Sequence, residues 1–181
     1  MKSLLIPAIA LILLTGIAVA QRAYYIPRLP PQVAAHMGWS GDVDRWEDTA
    51  DTVAGTARAW LTLTSIFLGI TLVSVLAVRY LPDQFVNVPN KEYWLATRRR
   101  RGELTTIVLS FYLWLLAAFV ATGVGLTQAI VQATFSGREQ IGLPVLAALI
   151  IFLIAQIAWL FVRLSRRREP RHMHGRGDRR A

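Results

Sequence analysis

The sequence contains no cysteine, so it has neither a disulfide framework nor thiolate ligands, and any segment outside a membrane must hold its shape by other means. Charge is scarce as well: 17% of residues are Asp, Glu, Lys or Arg, against 54% hydrophobic. Within the apolar runs no Asp, Glu, Lys, Arg or His lies away from the boundaries. Such groups cost about 2.5 to 3.5 kcal/mol to insert and mark ion or proton paths, so their absence argues against a proton-coupled transporter or pump. Haem held between helices needs axial ligands such as paired histidines, and none lies in a run. No nucleophile-elbow motif, paired His-Glu zinc helix or phosphate loop occurs. The expectation is a protein that is not an enzyme and carries no cofactor.

What the chain does have is four apolar runs, each long enough to cross a hydrocarbon core about 30 Å thick. We expect an all-α integral membrane protein built as one four-helix transmembrane bundle over residues 1–163, with spans near 3–22, 58–79, 104–131 and 142–163. The net charge of +9 and pI near 11.0 would ordinarily raise nucleic acid as a partner. Here the basic residues crowd into Lys91–Arg101 and Arg163–Arg180, each flanking a span. That is the pattern in which Lys and Arg mark the cytoplasmic side. Both termini, the loop 80–103 and a disordered basic tail at 164–181 are therefore expected inside, and no nucleic acid is expected.

Lys2 followed by Ser3–Ala20, with Ala18-Val19-Ala20 at its end, can be read as a cleaved signal peptide or as a retained anchor. The anchor is favoured, because the run is long for a signal and three more spans follow. Either reading puts the loop 23–57 outside. That loop is net acidic, with Arg28 and Arg45 against Asp42, Asp44, Glu47, Asp48 and Asp51.

Leu29–Trp46 is the most patterned polar stretch of the chain. Pro30 and Pro31 hold the approach extended, while Gly38 and Gly41 permit a reversal. Val33–Met37 and Val43–Trp46 read as a hairpin about a four-residue turn, or Val33–Met37 as a single helical turn. Glu47–Ala57 reads as an early start to the second helix. His36 with Asp42 and Asp44 supplies metal-ligand types, but no second His or Cys supports zinc and the twelve-residue calcium pattern is missing. The expectation is no metal, with His36 bonded inside the loop and Asp44 capping the turn or meeting Arg45 or Arg28. His36, Trp39, Asp42, Asp44 and Trp46 are the candidate binding residues of the outer loop. His172-Met173-His174 and Arg176-Gly177-Asp178 lie in the tail and are read as incidental.

In the inner loop Pro82 and Pro89 block helix continuation, and Asn87-Val88-Pro89-Asn90 is turn-prone. Asn87, Pro89, Asn90, Tyr93 and Trp94 form the candidate inner motif. Arg98, Arg99, Arg100 and Arg101 follow at the membrane border, where each would attract anionic inner-leaflet lipid by about 1 kcal/mol. Among the spans, Ser65 and Gly69 share a face, and Ala117, Ala121, Gly125 and Ala129 recur every four residues as a stripe for helix packing. Gly123 and Gly125 could bend the third helix. Thr62, Thr71, Thr122, Gln128 and Gln156 are expected to bond between helices.

Two of these stretches resemble the bacterial membrane family called domain of unknown function 1648, which is related to the SdpI-type immunity proteins. The outer resemblance rests on Leu29, Pro30, His36, Gly41, Asp44 and Trp46. The inner one rests on Pro89, Asn90, Lys91, Tyr93, Trp94, Leu95, Ala96, Arg99 and Arg100. Val43 stands where the family often has proline, and Thr97-Arg98 stand where its inner motif has Pro-Glu. The resemblance implies a multi-pass protein of the bacterial cytoplasmic membrane, and architecture more firmly than immunity.

Two functions are expected from these features. In the first, Leu29–Trp46 engages an extracytoplasmic peptide or envelope component in immunity, sensing or signalling. In the alternative, the chain is a small structural or accessory subunit of a larger membrane complex, or a homo-oligomer.

Overall fold

A computed structural model describes residues 2–38, 42–137 and 142–166, and it is mostly helical. Helix α1 spans Lys2–Tyr25, strands β1 and β2 span Gln32–Met37 and Val43–Asp48, and α2 spans Thr49–Tyr80. A short helix α3, Lys91–Leu95, precedes the long α4 at Arg98–Ser136, and α5 covers Gly142–Ser165. Four of these, α1, α2, α4 and α5, are long and apolar enough to cross a membrane. The loop between α1 and α2 adds a two-stranded antiparallel sheet to the expected all-α architecture. Trp39, Ser40 and Gly41, Arg138 and Glu139, and the tail from 167 with its His172 and His174 lie outside the described residues.

Local chemistry sets where the elements stop. Helix α1 gives way to a 3-10 turn at Ile26–Arg28, because Pro27 has no N–H to offer and restricts the residue before it. Asp48 caps α2, its carboxylate accepting from the N–H of Ala50 at 2.8 Å and of Asp51 at 3.3 Å. At the other end α2 stops before Pro82, with Leu81 already extended. Thr97 caps α4 by accepting from the Arg100 N–H at 3.2 Å. Gly137, at φ +72°, closes α4 in the left-handed conformation that glycine adopts without strain. Thus α2 begins at Thr49, close to the early start read at Glu47, and α4 runs past both ends of the expected span 104–131.

Helix α4 is the central column. Each of α1, α2 and α5 makes its main helix contact with it, and strand β1 rests on its C-terminal end. The three outer helices therefore turn large apolar side chains outward, Ile12, Leu13, Leu61, Val73, Ile151 and Phe161 among them. Water leaves such surfaces uncovered only at a cost, whereas hydrocarbon covers them.

Small residues set how closely the outer helices approach α4. Ala117 and Ala129 of the expected stripe are buried. A Cβ on Gly125 would stand 2.7 Å from Cγ1 of Val145, and one on Gly123 would stand 2.6 Å from Cζ2 of Trp60, whose ring packs on Phe119. These glycines make room for α5 and α2. On α2, by contrast, Gly69 has nothing within 4 Å, so the face it shares with Ser65 meets no other helix of the described chain.

Polar groups inside the bundle depart from expectation in an instructive way. Thr71 and Thr122 bond back to Phe67 and Ala118 of their own helices, not across to neighbours. Gln128 does bond between helices: Gln21 of α1 donates to its Oε1 at 3.2 Å and to the Val124 carbonyl at 3.1 Å. Ser74 and Tyr112 join α2 to α4 at 2.7 Å.

The most consequential of these bonds involves Pro7, which lies inside α1 and is fully buried. A proline has no N–H, so the carbonyl four residues earlier, that of Ser3, loses its helical donor. Ser110 of α4 replaces it, donating from Oγ to the Ser3 carbonyl at 3.0 Å. In hydrocarbon a freed carbonyl must find such a partner. Ser110→Ala is expected to destabilise the protein by about 1 to 3 kcal/mol, the cost of a buried unsatisfied acceptor. In the Pro7→Ala background, where the substituted residue supplies the missing N–H, the same change is expected to cost about 1 kcal/mol less. Thermal or denaturant unfolding of the four proteins in one detergent checks this, and equal costs in both backgrounds would refute it.

Candidate functional site

Two places bring the singled-out residues together, one at each end of α4. At the C-terminal end of α4 sits the hairpin. Its register pairs Gln32 with Asp48, Val33 with Glu47, Ala34 with Trp46, His36 with Arg45, and Met37 with Val43, with irregularities on either side of His36. The Gly38 N–H donates to the Asp42 carbonyl at 3.0 Å and closes the turn.

Strand β1 is fixed to the helices beneath it. Val33 and Ala34 are buried, and the Ala34 N–H donates to Thr134 Oγ1 of α4 at 3.1 Å. The Thr134 hydroxyl in turn donates to the Ile130 carbonyl at 2.7 Å. Val43 N–H reaches the Gly137 carbonyl at 3.3 Å, and Thr49 donates through its N–H and hydroxyl to the carbonyls of Pro31 and Pro30. Backbone and side chain together therefore pin both strands to the helices beneath them.

His36 and most of strand β2 are exposed. His36 Nδ1 and Asp44 Oδ1 lie 2.5 Å apart across the strands, with 59% and 53% of their side chains open to solvent. Trp46 stands across from Ala34 and remains 43% exposed. Asp42 is exposed at the turn. The expected alternatives for Asp44 are not taken: Arg45 pairs with Glu47 at 3.2 Å, and Arg28 stacks on Tyr24. Among the described residues no group of three or more His, Asp or Glu is placed to hold a metal ion. An exposed pair of this kind is worth about 0 to 1 kcal/mol, so stability does little to explain it. What it offers is an imidazole edge, carboxylate acceptors and an indole on a rigid base.

Against protein-family models, curated proteins and solved structures, the chain matches none. The function must be read from its own residues.

At the N-terminal end of α4 the inner motif serves the fold. Asn90 adopts a left-handed conformation, φ 54°, rare outside glycine, and its Nδ2 donates to the carbonyls of Leu164 at 3.1 Å and Ser165 at 2.9 Å. Trp94, only 2% exposed, adds a third donor, Nε1 to the Leu164 carbonyl at 3.3 Å. Together they cap the carbonyls of Leu164 and Ser165 at the end of α5. Trp94 also packs with Val78, Leu104, Ile107 and Leu164, so one apolar cluster joins α2, α3, α4 and α5. Pro89 is half-buried and Asn87 is exposed.

The four arginines divide. Arg98 and Arg99 are exposed, and Arg100 stacks on the Tyr93 ring at 4.2 Å. Arg101, read from the sequence as a lipid contact, instead turns inward with 22% of its side chain exposed. Its Nε donates to the Val78 carbonyl at 2.9 Å and its Nη2 to the Leu81 carbonyl at 2.6 Å, with Asp83 at 3.2 Å. Pro82 again explains the need, since it cannot donate to Val78 four residues before it. A cation there also complements the carbonyl end of α2. Sequence reasoning missed this clasp and that of Ser110 on the Ser3 carbonyl; the available signal was the proline four residues after each carbonyl, Pro82 after Val78 and Pro7 after Ser3. Arg101→Gln is expected to lower stability by about 1.5 to 3 kcal/mol, the scale of a lost bond to a charged group. Arg99→Gln is expected to change it by less than about 0.5 kcal/mol. Unfolding midpoints in one detergent compare them, and equal effects would contradict the division.

Proposed function

We propose that the chain is a non-catalytic membrane receptor or protective protein whose hairpin binds a peptide or envelope component. The observation that carries this reading is the exposed His36–Asp44 pair with exposed Trp46, on a hairpin whose first strand is pinned to α4 at Ala34. A polar, aromatic surface held on a rigid scaffold suits recognition, since little ordering entropy is lost on binding. Trp46 supplies apolar contact, and His36, Asp42 and Asp44 supply polarity. The basic flanks Lys91–Arg101 and Arg163–Arg180 support a bacterial cytoplasmic membrane orientation with the hairpin outside and both termini inside. The exposed Arg98 and Arg99 then meet anionic inner-leaflet lipid. The motif resemblance to domain of unknown function 1648 supports an immunity, sensing or signalling role of the same kind.

The alternative, an accessory subunit of a larger membrane complex, is favoured by the open glycine face of α2, where Gly55 and Gly69 have nothing within 4 Å.

Affinity purification of the intact protein from its native membrane, beside a His36→Ala, Asp44→Ala, Trp46→Ala variant, tests the two readings. The receptor reading expects wild-type and variant at equal membrane levels, with a partner lost only from the variant. A partner kept by both would move the interface to the helices and support the subunit reading instead.

A further inference from the structure

Arg22 is not used by anything described so far. It lies in the last turn of α1, where a cation suits the carbonyl end of the helix. That accounts for its charge but not for its surroundings. Its side chain is half-buried, and among the described residues it makes no hydrogen bond or ion pair. It lines two cavities, one of about 50 Å³ under the hairpin and one of about 220 Å³ between α1, α2 and α4. Thr127 lines both as well, so the two adjoin.

The smaller cavity is bounded by Thr52, whose hydroxyl is buried and has no partner. A buried hydroxyl without a partner is uncommon and calls for a ligand or water. The larger cavity is walled by Ala18, Val19, Trp60 and Gly123, and Val19 is 63% exposed, so this cavity opens on the apolar outer surface of α1. The cleft thus has an unpaired guanidinium and an unmet hydroxyl at one end and an apolar channel at the other.

We propose that this cleft holds one anionic phospholipid, its phosphate on Arg22 and its acyl chain along the channel between α1 and α2. Charge complementarity fixes the headgroup, since a guanidinium forks onto phosphate through two parallel N–H bonds. The opening beside Val19 fixes the source, because the chain enters from the bilayer and not from water. The site does not depend on the hairpin's partner.

Native mass spectrometry of delipidated, detergent-purified protein tests it, with phosphatidylglycerol, phosphatidylcholine and inorganic phosphate as probes. Wild type is expected to retain one phosphatidylglycerol in preference to phosphatidylcholine, and inorganic phosphate is expected not to displace it. Arg22→Gln removes no bond among the described residues and is expected to weaken retention about tenfold or more, the scale of a lost charge-assisted bond. Ala18→Phe keeps the guanidinium but fills the channel, and is expected to weaken it comparably. Arg99→Gln is expected to bind as wild type. Retention unchanged in Arg22→Gln, equal binding of the two lipids, or a drop in Arg99→Gln to match would overturn the proposal by making the contact a general surface attraction. Displacement by inorganic phosphate, or no effect of Ala18→Phe, would overturn it by leaving only an anion site.

Discussion

Inside hydrocarbon a backbone carbonyl without a donor is expensive, and this fold is organised around meeting that demand where prolines and helix ends create it. Pro7 frees the Ser3 carbonyl, and Ser110 takes it. Pro82 frees Val78, and Arg101 takes it. The end of α5 is met by Asn90 and Trp94, on the short segment that leads into α4. Three outer helices are thereby tied to one column by side chains that belong to it or immediately precede it. Packing follows the same centre, since Gly123 and Gly125 let Trp60 and Val145 come close to the α4 backbone.

This arrangement leaves the two ends of the column with different work. At the arginine end Asn90, Trp94 and Arg101 are engaged in holding helix termini, and of the four consecutive arginines only Arg98 and Arg99 are exposed. At the hairpin end the strands are pinned through Thr134 and Gly137, while His36, Asp44 and Trp46 stand exposed in a geometry the fold does not need for stability. Residues ordered at little benefit to the fold are where binding is best sought. The cleft at Arg22 lies beneath the same hairpin, so that end of the bundle carries both polar surfaces left open by packing.

The four spans were legible because long apolar runs have few other uses, and the cap at Asp48 and the stop before Pro82 follow from local chemistry. The hairpin was legible as one of two readings; what decided it was burial of Val33 and Ala34 against α4, a tertiary contact with no local trace. The clasps were not legible, because their partners are far apart in the chain, 107 residues for Ser110 and Ser3. Arg98 to Arg101 look alike as a sequence, and only the position of α2 turns Arg101 inward. Thr122 and Gln128 both looked like interhelical bonds, yet threonine reaches its own helix and glutamine, being longer, reaches Gln21.

The claim that side chains fixed on or beside α4 hold the outer helix ends is tested most directly by hydrogen exchange of the intact protein in lipid nanodiscs, read along the chain for Arg101→Gln against wild type. The account expects faster exchange in the last turn of α2, ending at Tyr80, with the last turn of α5, ending at Ser165, unchanged because Asn90 and Trp94 still hold it. Unchanged exchange at the end of α2, or an equal rise in every helix, would contradict it.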